Sequence, residues 1–352
     1  MSYVKPELLV KYNVIENIFD YRDFDLDLET SELYSNFGNT FQNLFEEYAS
    51  LYNIKDCCFY IKSDDTCNAF AAKRKGYNII GITNGYPILL KRIFDKKYFK
   101  STILAGILNE KNISEAYCDL YEDSNFDLSK FILDCSIRFT FNHEFEHILQ
   151  FNSNSFINED CFLHENVDMN EFDQKKHIWE FDADRMASFE VLKYVFSIHR
   201  TFTVKSDAKL KCLILIGCAS MFISKNLFYY EVINQLKVRY SIDKMDFYTK
   251  EKSHPHPLVR CFNIMEYYYD NVTEDFPRLK ITPDELLNNA LGIMKLYFDS
   301  LIPGQDTIKY LFDELEIHLD DINQYNNELY DLAINDKAIR NLLISRNIEF
   351  EK

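Results

Sequence analysis

The sequence predicts an α+β fold in which helices dominate. Three observations carry that expectation. Only 8 Gly and 7 Pro occur among 352 residues, too few for the turn-dense chain of a sandwich or barrel. Apolar residues recur at spacings of three and four over several long stretches, the period of a helix with a buried face. Two short β-prone runs flank one glycine-containing turn, which suffices for a small antiparallel sheet.

The elements follow in order. Leu33, Phe37, Phe41, Leu44, Tyr48 and Leu51 line one face of a helix expected over Glu32 to Tyr52. Cys57 to Ile61 is a short aromatic strand. Asn68 to Ala71 and Tyr77 to Thr83 are expected to form a hairpin around the basic Lys73-Arg74-Lys75-Gly76 turn, and a helix is expected to begin near Pro87. From Leu128 to Gln150 one face carries Leu128, Phe131, Ile132, Cys135 and Phe139, and the opposite face Ile137, Phe141, Phe145 and Ile148. Apolar on both sides, this is a buried helix. Asn152 to Lys176 is polar and aperiodic, a loop or lid. Helical periodicity resumes over Ile178 to His199 and Lys209 to Leu236. A linker with Pro277 and Pro283 follows, then acidic helices to the C-terminus. These divisions give an N-terminal segment (residues 1–35), a principal domain (36–270) and a helical C-terminal extension (271–352), with a boundary near Asn271.

Composition narrows the function classes. A hydrophobic fraction of 47% excludes global disorder. The net charge of −17 repels phosphate backbones and anionic headgroups, so neither nucleic acid nor a membrane surface is expected as a partner. The 9 cysteines are odd in number, scattered and without a C-x-x-C pair, as reduced thiols of the cytosol would be. The N-terminus shows no export signal. Cys212 to Ser224, the longest uncharged run tested, is 13 residues long and ends at Lys225. It is too short to span a bilayer and is expected to be a buried helix.

The chemistry is concentrated at His143-Glu144-Phe145-Glu146-His147. On a helix, positions i and i+4 lie on one face, so both imidazoles can bind a single cation while Glu144 flanks them. A hydrolytic zinc site needs a third protein ligand and an open position for water. Glu180, 33 residues after His147, would supply the ligand. Asp184, one turn further on, could accept the second ring N–H of a ligand histidine. The structural alternative makes the histidines hydrogen-bonded core residues and the two carboxylates a solvated face near a helix start.

With these residues in place, the chain resembles the gluzincin metallopeptidases of the HtpX and CaaX prenyl protease type, and their soluble relatives, the Lit-type phage-exclusion peptidases. The resemblance spans about residues 55–265. It rests on Asn68-Ala69-Phe70-Ala71, on Ile79 to Gly85, on the His143–His147 motif, on Glu180 to Asp184, and on Ser253-His254-Pro255-His256-Pro257-Leu258-Val259-Arg260. It implies a zincin-like catalytic domain whose edge strand near Asn68 holds substrate. It also implies His143, His147 and Glu180 as Zn2+ ligands, Glu144 as general base, and Asp184 behind them. His254 and Arg260 would line the cleft as catalytic residues, with Asn68 on the substrate side. Tyr86-Pro87 replaces the family's Leu-Leu and the long apolar spans are missing, which argues against prenylated or membrane substrates.

In such a site zinc acidifies water and polarises the scissile carbonyl, and Glu144 moves the water's proton to the leaving amine. A donor is then needed for the oxyanion, and His254 or His256 is available. The structural alternative for that segment starts a helix at Ser253 and Pro257. His164 and His177 lack partners at ligand spacing and are expected at the surface, while Trp179 is expected to anchor the helix of Glu180 by packing. The expectation is a soluble zinc endopeptidase of the cytoplasm acting on a protein or peptide substrate. The resemblance adds regulation, by a protein partner, in phage defence or a toxin-like role. The alternative is a non-catalytic, metal-stabilised binding module whose helical C-terminus is the working surface; Glu144 argues against it, since a scaffold needs no general base.

Overall fold

The computed structural model describes residues 3–91, 111–123, 126–153, 160–164, 172–230, 246–301 and 309–346. Its helices are α1 (Pro6–Lys11), α2 (Leu28–Leu51), α3 (Gly85–Lys91), α4 (Lys111–Glu122), α5 (Leu128–Ser153), α6 (Gln174–Thr201), α7 (Asp207–Tyr230), α8 (Pro257–Asp275), α9 (Pro283–Leu301), α10 (Lys309–Asn335) and α11 (Lys337–Ser345). The strands are β1 (Cys57–Lys62), β2 (Ala69–Arg74), β3 (Tyr77–Thr83) and β4 (Cys161–His164). The fold is α+β and mostly helical.

Alternation along the strands gives the sheet two apolar faces. Phe59, Ile61, Ala69, Ala71, Ile80 and Ile82 join the main core with α2 and α5. Cys58, Tyr60, Phe70, Ala72 and Ile79 form a smaller cluster closed by Leu9, Val14 and Ile15 of the N-terminal segment. The expected β2–β3 hairpin is present, with Lys75 (φ 47°) and Gly76 (φ 85°) both left-handed in its two-residue turn.

Two expectations about the sheet are corrected. It is mixed rather than antiparallel, in the order β1-β3-β2-β4, because β1 lies parallel to β3. The chain leaving β1 therefore crosses over the end of β3. Thr83 Oγ1 donates to the Thr66 carbonyl (2.6 Å) and Asp64 N–H donates to Asn84 Oδ1 (2.7 Å) to hold that crossing. Gly85 is required beneath it, since a Cβ there would lie 2.6 Å from the Thr66 oxygen. Nor is β2 an edge strand. It is interior, because β4 pairs with it from Phe70↔His164 to Lys73↔Cys161. The expected loop of residues 152–176 thus carries a strand, and its first and last residues belong to α5 and α6.

The buried helices come out as the periodicity implies. α5 is buried along both faces and packs between the sheet and the pair α6 and α7. Among the described residues, Asp207–Phe228 of α7 is the one stretch long and apolar enough to cross a membrane. Its most apolar window is 94% buried inside the protein, as a core helix would be. All nine cysteines are unpaired thiols.

The boundary read near Asn271 falls inside α8, which continues to Asp275. Pro277 and Pro283 mark one 3-10 turn (Pro277–Leu279) and the start of α9, so the break is a corner rather than a linker. Leu286, Met294, Phe298, Ile322 and Leu329 beyond it belong to the same core cluster as Phe141 and Val195. The C-terminal helices are part of the principal core.

Candidate metal centre

Local sequence sets the two helices that build the site. α5 is held in place by its all-round apolar surface. α6 starts at Asp173, whose carboxylate accepts the N–H groups of Lys175 and Lys176, and ends with His199 and Arg200 in its last turn, where cations suit the helix dipole. α5 and α6 pack along their lengths. His143 and His147 on one helix then face Glu180 and Asp184 on the other, each pair at i,i+4 spacing.

The donor atoms converge. His143 Nε2 and His147 Nε2 are 3.1 Å apart, and the Glu180 carboxylate oxygens lie 3.2 Å from the first and 3.4 Å from the second. All three side chains are 1% exposed and form a group able to hold a metal ion. The far side of each ring is also tied. His143 Nδ1 lies 3.0 Å from Asp184 Oδ1, the partner expected of Asp184. His147 Nδ1 donates to Gln150 Oε1 at 2.8 Å. That amide is oriented by its own donors, since Nε2 bonds the Trp179 carbonyl (3.1 Å) and Asp182 Oδ2 (2.9 Å). A proton on His147 Nδ1, accepted by Gln150 Oε1, leaves His147 Nε2 a lone pair facing His143 Nε2 3.1 Å away, and Arg260 Nη2 lies 3.4 Å from that same His143 nitrogen. A tetrahedral ion with bonds of about 2.0–2.1 Å needs ligand atoms about 3.3 Å apart, the separation found here.

Arg260, on the first turn of α8, bridges the carboxylates. Its Nη2 lies 2.6 Å from Glu180 Oε2, while Nε and Nη2 donate to Asp184 at 2.6 and 2.8 Å. Lys225, 2% exposed, adds a second cation 3.6 Å from Asp184. Burial alone would raise the pKa of Glu180, but Arg260, His147 and His143 outweigh it and hold the carboxyl well below its ordinary range. Arg260 and Lys225 do the same for Asp184. Burial and the neighbouring Glu146 carboxylate push Asp182 up to about 7.

The choice between the two His-Pro histidines resolves by position. His254 Nε2 lies 3.5 Å from Glu180 Oε1, at the rim of the cluster, and its Nδ1 meets Ser253 Oγ at 2.9 Å. His256 caps α8 instead, its Nδ1 accepting the N–H of Leu258, with Pro257 in the first turn. The cap expected at Ser253 is thus one His-Pro unit later. Glu144, on the same helix as His143 and His147, is 1% exposed. Asn68 heads β2, where its backbone exchanges hydrogen bonds with Thr83. The converging groups are His143, His147, Glu180, Asp184, Arg260 and His254, and Asn68 is placed at the strand that packs on α5.

His177 is corrected from surface to core. It is fully buried, its Nε2–H donating to the Lys252 carbonyl and its Nδ1 accepting from Tyr325 O–H, both at 2.8 Å, so it ties α6 to α10. The side chain of His164 lies outside the described residues. Trp179 packs against Phe151 as expected. Gln150 and Lys225 were missed. Gln150 sits three residues after His147 on the same face. Lys225 is a lone cation on an otherwise apolar helix, and a buried charge requires a partner.

Burial pushes His256 down to about 3, with Lys252 and His318 acting in the same direction. The unfolded chain therefore binds a proton below about 6.5 that the folded chain refuses, and stability falls as pH drops through that range. At about 1.4 kcal/mol per pH unit, this one group removes about 2 kcal/mol by pH 5. His256→Asn keeps a capping acceptor and cannot titrate. Metal-free His256→Asn should lose about 2 kcal/mol less than wild type between pH 7 and 5 in urea unfolding; equal losses would remove this assignment.

No protein-family model, curated protein or solved structure matches the chain.

Proposed function

We propose that the chain is a zinc-dependent endopeptidase of the gluzincin kind with a zincin-like core, acting in the cytosol on a protein or peptide. The observation that carries this reading is the convergence of His143 Nε2, His147 Nε2 and the Glu180 carboxylate, with His147 tied at Nδ1 by Gln150 and His143 Nδ1 lying 3.0 Å from Asp184 Oδ1. Imidazole and carboxylate together suit zinc, and three protein ligands leave a position for solvent.

Bound there, zinc would acidify a water molecule and polarise the scissile carbonyl. The remaining work falls to the chain. Glu144 takes the proton and hands it to the leaving nitrogen. His254, held at Nδ1 by Ser253, donates to the developing oxyanion. Arg260 and Lys225 keep Glu180 and Asp184 ionised and in place. Asn68 keeps only the substrate-side role that the resemblance implies, without an edge strand to hold peptide, since β4 covers β2. With the ligands only 1% exposed, a polypeptide reaches them after a rearrangement, which supports regulation of the protease; action in defence or as a toxin, answering to a protein partner, is what the resemblance to the Lit-type peptidases implies.

Proteomic mapping of new chain termini tests the reading. Cells expressing wild type should show termini that are absent with Glu144→Gln; identical termini in both would contradict it.

A further inference from the structure

Between residue 246 and the start of α8 the chain passes against the metal centre without forming a helix or strand. It meets α6 at successive steps. The Lys252 carbonyl accepts from His177 Nε2–H at 2.8 Å, and two residues on His254 Nε2 lies 3.5 Å from Glu180 Oε1. Ser253 and His254 are buried there, while Lys250 and Glu251 are exposed. The other flank of this strap faces α10 across a cavity of about 390 Å3, with Tyr248 and Thr249 on one wall and Asp321 and Gln324 on the other. Side chains bridge the two walls. The Phe247 ring stacks on His318, centroids 4.4 Å and planes 15° apart, where the backbone inside α10 leaves helical angles (φ −110°, ψ 16°). Lys250 Nζ pairs with Glu328 at 2.6 Å, both partly exposed.

We infer that residues 247–255 are the gate of the metal centre, a strap that lifts from α10 to admit polypeptide and on return brings His254 back beside Glu180. His143, His147 and Glu180 are each 1% exposed, so an element that covers them has to move. Helices α5, α6 and α8 give Phe141, Val195 and Ile264 to the main core, and moving them would break it. The strap has no such tie along its length. Held by side chains across a cavity rather than by a ladder of backbone hydrogen bonds, it opens at a lower free energy than a core helix. Tyr248, buried beside His256, sets the cost of lifting and keeps the gate closed most of the time. An ion pair as exposed as Lys250–Glu328 adds little, which leaves the Phe247–His318 stack as the principal latch to α10. Closure completes the site, because His254 is the proposed oxyanion donor. The inference rests on the protease reading for what passes the gate, but the movement belongs to the metal-free chain.

The test uses the full-length chain without metal. In hydrogen exchange read by mass spectrometry, the amides of residues 248–254 should exchange sooner than those of α5 and α8. Phe247→Ala should speed the strap amides about tenfold, the upper end of what one ring stack holds, and leave α5 and α8 unchanged. Diethyl pyrocarbonate, which modifies accessible imidazoles, should then label His143 and His147 faster by a similar factor. His318→Ala cuts the same latch from the other side and should match both readings. Unchanged strap exchange in Phe247→Ala overturns the inference. So does a faster strap with no faster labelling of the two histidines, or an equal rise in α5 and α8, which would mean global unfolding. If Phe247→Ala fails to fold, His318→Ala decides by the same readings. Zinc-loaded wild type that cleaves nothing, with the exchange and labelling results intact, would sink the protease reading and leave the gate standing. Cleavage by wild type with those results absent would do the reverse.

Discussion

Glu144→Gln is expected to retain one zinc per chain and to cut peptide hydrolysis by at least about a hundredfold, the lower end of what a positioned acid–base contributes. The side chain keeps its size and its place on α5, so the helix, the two histidines and Glu180 are undisturbed. Only the capacity to accept a proton is lost. Glu144 is not one of the three converging ligands, and metal content should therefore stay at the wild-type value. Because the substituted amide alters a step rather than a binding contact, the loss belongs in kcat, with KM little changed. Elemental analysis beside cleavage rates on a substrate found by terminus mapping checks both halves. Undiminished cleavage would remove Glu144 from the mechanism.

Arg260→Met should be the most destabilising single change at the site, by about 3–5 kcal/mol in the metal-free protein, the usual cost of stripping one partner from buried ion pairs. Arg260 is the shared cation of Glu180 and Asp184, and none of the three is more than 2% exposed. Lys225 remains, 3.6 Å from one oxygen of Asp184. A divalent ion on Glu180 would offset part of the missing charge and stabilises the folded chain by mass action. The deficit in urea unfolding should therefore shrink when zinc is added. A loss below about 1 kcal/mol, or one indifferent to zinc, would contradict the account of Arg260 as the counter-charge of the ligand set.

What the sequence disclosed, and what it hid, follows from how local each signal is. α2, α5 and α6 were legible because a period of three to four residues is written within one segment. The turn at Lys75-Gly76 was legible for the same reason. His143 and His147 at i,i+4 needed only a helix, and Glu180 needed only a second one beside it. Strand partners are a different matter. That β1 would lie beside β3 rather than β2 depends on a crossing held by Thr83 and Asn84, and four residues at Cys161–His164 are too short a run to stand out from a polar loop. Prolines at 277 and 283 read as a linker, yet the apolar faces around Leu286 and Met294 continue the main core across that corner. Polar partners distant in sequence stay hidden. His177 reads as a surface residue until Lys252 and Tyr325 are brought to it, and Gln150 and Lys225 carry no assignment until Asp182 and Asp184 are.

The central claim is that His143, His147 and Glu180 bind one zinc ion together. Metal content after dialysis, measured for wild type, His147→Ala and Glu180→Ala at equal fold by circular dichroism, tests it most directly. The account predicts one zinc per chain in wild type and a loss of stoichiometric zinc in both variants. Full zinc retained by both variants would contradict it.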